Sequence, residues 1–118
     1  VLQPDIANAG GITELKKIAA IAEARHVNMA PHNTCSPVGT MAECHLDLTM
    51  TNFLIQEYHA EFYTPHYFDA FDGFPRQVDG YLTVPDTPGL GLTINEEVLA
   101  RHGYDPTATA RAGTSRRI

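Results

Sequence analysis

Three short apolar runs, each meeting a polar residue, alternate with two segments of helical period within residues 1–57, and this alternation restricts the fold more than any other feature. Val1-Leu2-Gln3-Pro4-Asp5, Val27-Asn28-Met29-Ala30-Pro31 (then His32) and Phe53-Leu54-Ile55-Gln56 (then Glu57) read as strands. After the first, Gly10 and Gly11 open a loop. Ile12, Leu15, Ile18, Ala19 and Ala22 then recur at helical spacing, with Glu14, Lys16, Lys17, Glu23 and Arg25 mostly off the stripe. After the second, Ser36 is expected to cap a helix with Pro37 at its first position, and Val38, Met41, Ala42, His45, Leu46 and Thr49 form the expected inward stripe. Strand, helix, strand, helix, strand in this length implies an α/β fold with parallel strands and right-handed crossovers.

The second half follows a different pattern. Residues from Tyr58 to Pro75 mix aromatics, prolines and acids without a period, which predicts a long irregular loop. Gly80 to Val84 predicts a short strand, Asp86-Thr87-Pro88-Gly89-Leu90-Gly91 is turn material, and Asn95 is expected to cap a helix from Glu96 to His102. From Asp105 onward the composition predicts an extended tail. The chain opens on Val1 without a Met, inside an apparent strand, which suggests a segment of a longer protein.

Charge narrows the partners. Eight basic against fourteen acidic residues give a net charge of −6, which argues against nucleic acid and anionic membrane surfaces; Arg111, Arg116 and Arg117 form the basic cluster and read as a solvated tail. No apolar run approaches the roughly 20 residues that cross a bilayer. Cys35 and Cys44 make no disulfide framework and read as reduced thiols, so the cytoplasm is expected.

Asp5, His32 and Glu57 each follow an apolar run and precede a loop or helix, which in a parallel sheet puts them on one edge. Adjacent strands lie about 4.8 Å apart, so consecutive strands bring the three within mutual reach. A carboxylate beside an imidazole accepts its Nδ1–H, fixes the tautomer and raises its basicity, making His32 a candidate general acid/base and Asp5 its orienter. Glu57, if protonated, would donate to a substrate oxygen where charge develops. Each also has a structural reading: a strand-end Asp caps loops, a His after Pro is commonly a loop residue, and a strand-end Glu is commonly a solvated acid. The three on one edge are more informative than any one alone.

These same segments resemble a known family. Val1-Leu2-Gln3-Pro4-Asp5 with Gly10-Gly11-Ile12-Thr13-Glu14 is similar to the sixth strand and helix of mandelate-racemase-type (β/α)8 (TIM) barrels of the enolase superfamily. Ala30-Pro31-His32-Asn33 with Ser36-Pro37-Val38 resembles the end of the seventh strand and start of its helix, and Asn52-Phe53-Leu54-Ile55-Gln56-Glu57 the eighth strand. Val84-Pro85-Asp86 and Pro88-Gly89-Leu90-Gly91 look like the segment returning to the capping domain; the likeness spans residues 1 to about 97. Within the superfamily the chain is similar to the galactonate dehydratase-like sugar-acid dehydratases. With the resemblance the chain divides into 1–57, barrel strands 6–8 with their helices, and 58–104, the C-terminal loop and returning segment, while 105–118, the tail, is read from its composition alone.

It also implies a chemistry. Such enzymes remove the proton alpha to a carboxylate, Mg²⁺ stabilises the enediolate, and dehydratases expel the beta hydroxyl. Asp5 and His32 match the family's His–Asp dyad and Glu57 its strand-eight acid. The Mg²⁺ ligands belong to strands three to five, which this chain lacks. The expected parent is therefore a Mg²⁺-dependent lyase acting on a sugar acid, a homo-oligomer, with this chain alone inactive. A racemase or epimerase of the same superfamily is the alternative.

Other residues carry weaker signals. Asn33 is a candidate substrate donor or a loop-stabilising residue. His59, Glu61 and His66 match no standard zinc spacing and suggest substrate contact or loop packing; a non-catalytic metal-binding module stays open on them. His45 reads as a hydrogen-bonded core histidine, and nothing local marks Cys35 as a nucleophile. Pro88-Gly89-Leu90-Gly91 lacks the lysine and strand–helix context of a phosphate loop.

Overall fold

The computed structural model describes residues 1–59, 65–74 and 76–103. The three apolar runs lie side by side and parallel, with the middle one between the others. Single parallel bridges join Leu2 to Met29, Asp5 to His32 and Met29 to Phe53. Ala30 N–H donates to the Leu2 carbonyl at 2.9 Å and Leu54 N–H to the Met29 carbonyl at 2.8 Å. Pairing is thus in the expected order, but as isolated bridges and not as continuous strands.

Helix α1 runs Ile12–Glu23 and buries Leu15, Ala19 and Ala22. These pack with Ile6, Met29, Leu46 and Met50 in one apolar cluster, while Ile12, half exposed, stands outside it. The helix is closed by His26 at φ 54, with Val27 N–H on the Ala22 carbonyl at 2.9 Å. Asn52 ties α1 to the strands, its amide donating to the carbonyls of Ala19 and Val27.

Helix α2 runs Pro37–Asp47, with Pro37 in its first turn as expected. Ser36 occupies the cap position without a side-chain cap hydrogen bond. The buried face also differs from the expected stripe: Thr40, Met41, Glu43, Cys44, Leu46 and Asp47 are inside, whereas Val38 and Thr49 are exposed. The cause is a second layer. Leu46 faces the α1 cluster, while Met41 packs with Ala70, Phe71, Phe74 and Val98 on the other side. A helix covered from two directions buries more than one stripe.

The predicted irregular loop contains regular structure. Helix α3 (Pro65–Ala70) leads directly into strand β1 (Phe71–Asp72), which pairs antiparallel with β2 (Thr93–Ile94). The two ends of this excursion meet at Gly73, φ 83, where a Cβ would sit 2.4 Å from the Gly91 carbonyl oxygen. Gly80–Val84 is not a strand. Asp79 and Gly80 both take positive φ and form the tip of a tight turn, joined by one antiparallel bridge from Val78 to Tyr81. Helix α4 (Glu96–Arg101) is capped as predicted, Asn95 Oδ1 accepting from Val98 N–H at 3.1 Å, and His102 falls at its C-cap. The tail from Asp105, its three arginines and Glu61 lie outside the described residues. Among the described residues no helix is long and apolar enough to cross a membrane.

Candidate active site

The parallel register places the polar residue ending each run on one edge. His32 Nδ1 lies 3.0 Å from Asp5 Oδ2, and His32 Nε2 lies 3.9 Å from Glu57 Oε2. Asp5 is buried, while His32 keeps 43% of its side chain exposed, so the imidazole sits between a fixed carboxylate and open space. Asp5 Oδ1 accepts from the N–H groups of Ala7 (2.9 Å) and Asn8 (3.0 Å), the chain turning back on its own side chain. Burial works to raise the Asp5 pKa. The hydrogen bonds from His32, Asn8 and Ala7 outweigh it and hold the carboxyl below its ordinary value. An ionised carboxylate only accepts, so His32 Nδ1 carries the proton and Nε2 faces outward.

Donation by Glu57 requires a protonated carboxyl, and its surroundings favour the ionised form. Its Oε2 accepts from Asn33 N–H at 2.8 Å and its Oε1 lies 2.7 Å from His59 Nε2. The backbone N–H of Asn33 first, then the His59 contact, hold the Glu57 carboxyl below its ordinary value, so it is a carboxylate. His59, weighed above for metal or substrate contact, thereby extends the row to Asp5–His32–Glu57–His59. Helix α3 takes in His66.

Asn33 serves the row through its backbone. Its side chain is fully buried, Nδ2 donating to Thr40 Oγ1 at 3.1 Å and Oδ1 accepting from Cys35 N–H at 3.1 Å. This is the loop-stabilising alternative, and it leaves no side-chain donor at the edge. Cys35 Sγ is 3.7 Å from both Asp5 oxygens; burial and then the Asp5 charge push its thiol up, away from thiolate chemistry. His45 Nε2 pairs with the Leu90 carbonyl at 3.2 Å, as a hydrogen-bonded structural histidine does.

Two acids behind the edge were not anticipated. Glu43, fully buried, accepts from Ile6 N–H at 2.9 Å and from Gln56 Nε2 at 3.1 Å; burial, opposed by the Ile6 bond, lifts its pKa to about 7. Asp47, one turn on, is pushed up to about 8 by burial and the Glu43 charge. The available signal was the spacing of Thr40, Glu43, Cys44 and Asp47, a second face of α2 that a single-stripe reading passes over.

A model of the family described as enolase C-terminal domain-like matches residues 1–98. The chain is 42% identical over 105 residues to a D-mannonate dehydratase of Caulobacter vibrioides, covering 87% of this chain and 26% of that protein. A D-gluconate/D-galactonate dehydratase of Picrophilus torridus is 39% identical over 105 residues, covering 89% and 27%. Among solved structures, a mandelate racemase/muconate lactonizing enzyme from Jannaschia sp. CCS1 superposes with TM-score 0.80 at 39% identity over 88% of this chain and 26% of that one. An enolase from Pantoea ananatis with bound D-gluconate and Mg gives 0.77 at 42% identity, over 84% and 24%. The chain thus spans about a quarter of the length of the proteins it matches.

Proposed function

The chain belongs to the enolase C-terminal domain-like family, of the mandelate racemase and muconate lactonizing enzyme type, and on that premise we propose that it forms strands six to eight of a (β/α)8 barrel in a Mg²⁺-dependent sugar-acid dehydratase. The observation that carries the reading is the Asp5–His32 pair at 3.0 Å, with Nε2 directed toward Glu57 on the open side. The substrate class is an aldonic acid, supported by relatives named for D-mannonate, D-gluconate and D-galactonate and by a similar structure holding D-gluconate.

His32 is the proton carrier. Asp5 fixes its tautomer and stabilises the imidazolium, leaving Nε2–H to protonate the departing beta hydroxyl. A base assigned to the part of the parent that this chain does not span would take the alpha proton, the carbon–oxygen bond breaks as the hydroxyl receives the His32 proton and leaves as water, and the enol ketonises to a 2-oxo-3-deoxy acid. Glu57, a carboxylate before substrate arrives, accepts from substrate hydroxyls. It takes up a proton only where negative charge develops beside it.

The described residues do not fit a Mg²⁺ site. Among them no three His, Cys, Asp or Glu are arranged to hold a metal ion; the Asp5 oxygens face His32, Ala7 and Asn8, and those of Glu57 face Asn33 and His59. Its ligands are assigned to the part of the parent that this chain does not span, and the chain alone is expected to be inactive.

In the full-length protein, His32→Asn should lower kcat for dehydration of D-gluconate, D-galactonate or D-mannonate by roughly 10²–10⁴-fold, read as 2-oxo product, with the circular dichroism unchanged. A wild-type rate in that variant refutes the assignment. Exchange of the alpha proton in ²H₂O with epimer formation and no loss of water would instead identify a racemase or epimerase.

A further inference from the structure

Glu43 is fully buried on the inner face of α2, and glutamate is seldom found there unless something requires it. Its two oxygens point to different strands. Oε1 accepts from the backbone N–H of Ile6, the residue after Asp5, at 2.9 Å. Oε2 accepts from Gln56 Nε2, on the residue before Glu57, at 3.1 Å. The same Gln56 nitrogen reaches the Glu57 carbonyl at 2.9 Å and the Pro31 carbonyl, next to His32, at 3.5 Å. One carboxylate and one amide therefore touch the backbone at or beside all three residues of the row.

We propose that Glu43 is a positioning residue for the dehydration, a clamp that through Ile6 and Gln56 sets the spacing of the Asp5, His32 and Glu57 strand ends. The inference rests on the functional reading above. Its physical ground is that the backbone bonds joining the three ends are long, His32 N–H to the Pro4 carbonyl at 3.2 Å and Glu57 N–H to the Pro31 carbonyl at 3.4 Å, so beyond the side-chain contacts of the row itself the Glu43–Gln56 link adds the tie that reaches all three. An apolar residue at position 43 would fill the space but leave the Ile6 N–H without this acceptor, and Gln56 would lose its anchor on α2. Displacements well under an ångström at the row are costly, because proton transfer from His32 depends on the distance and angle of Nε2.

Glu43→Gln separates the two links, since its amide oxygen still accepts from Ile6 while its nitrogen faces the Gln56 nitrogen. The diagnostic readout is amide hydrogen exchange at Asn33, whose N–H rests on Glu57 and does not touch Glu43. In the full-length enzyme, Glu43→Gln should speed exchange at Asn33 by about tenfold while that of Ala19 in α1 is unchanged. It should also lower kcat toward the three aldonates by about 10–100-fold with KM within about twofold. Gln56→Leu should reproduce both effects, and the double variant should be no worse than either single one, because the two residues act as one device. Wild-type Asn33 exchange in folded Glu43→Gln, or multiplied losses in the double variant, would overturn the clamp. The functional reading fails separately: a wild-type rate in His32→Asn removes the catalytic role, while Asn33 exchange still decides whether Glu43 sets the geometry.

Discussion

Asp47 holds a carboxylate oxygen, Oδ1, that finds no hydrogen-bond partner among the described residues, in a side chain 7% exposed and one turn from Glu43. The two acids are driven upward, Glu43 to about 7 and Asp47 to about 8, while Asp5 and Glu57 at the edge are held low. The signs oppose each other. A folded carboxyl with a raised pKa binds more protons than the unfolded one, so Glu43 and Asp47 cost stability progressively as pH rises from their ordinary range, near 4, to about 8. Asp5 and Glu57 contribute stability above the ordinary carboxylate range and lose it as pH falls through their lowered values. Replacing Asp47 by Asn removes the charge and keeps the shape. Asp47→Asn should therefore gain roughly 1–3 kcal/mol in urea unfolding at pH 8.5 and distinctly less at pH 5.5. An equal gain at both pH values would show that the ionised form is not the strained one.

Helix α2 is where sequence and structure part most clearly, and the reason is geometric. Periodicity finds α1 because that helix is covered on one side, so Leu15, Ala19 and Ala22 make a single stripe. It misplaces the face of α2 because two clusters cover it, and Thr40, Glu43, Cys44 and Asp47 look polar enough to be surface. Substitution separates the two faces: Val38→Ala, on the expected stripe but 37% exposed, should cost within about 0.5 kcal/mol. Cys44→Ser, off that stripe and 4% exposed, should cost about 1–3 kcal/mol for its buried hydroxyl in the same unfolding assay. The reverse order would restore the single stripe. Helix α3 and strands β1 and β2 escaped notice because six and two residues are too few to display a period. The row at the edge was legible for the opposite reason: it needs only that strands be parallel and consecutive. The resemblance supplied roles, whereas the Glu57 ionisation depended on Asn33 N–H and His59, contacts that no spacing reveals.

The three parallel runs have two outer edges, and at the scale of the molecule these are its least finished feature. Val1 is 69% exposed, Leu54 54% and Ile55 61%, alongside Leu2 and Phe53. Apolar side chains on an open strand edge present both unpaired backbone groups and area to bury, the combination that templates association. Proteins similar to this chain are more than three times as long, so in a barrel that edge would be paired by other strands of the same molecule. A net charge of −6 gives an apolar edge little protection, since charges farther from it than the screening length of about 8 Å at physiological salt are largely screened. The 118-residue chain by itself should therefore elute from size exclusion above its 12.9 kDa mass and enhance the fluorescence of an apolar dye. Ile55→Lys, placing a charge on the edge beside the third run, should shift it toward monomer without altering the helical circular dichroism. A monodisperse wild-type monomer that ignores the dye would mean that the edge is covered within the chain, and the Asp5–His32–Glu57 row would then face a closed surface instead of the interior of a larger barrel.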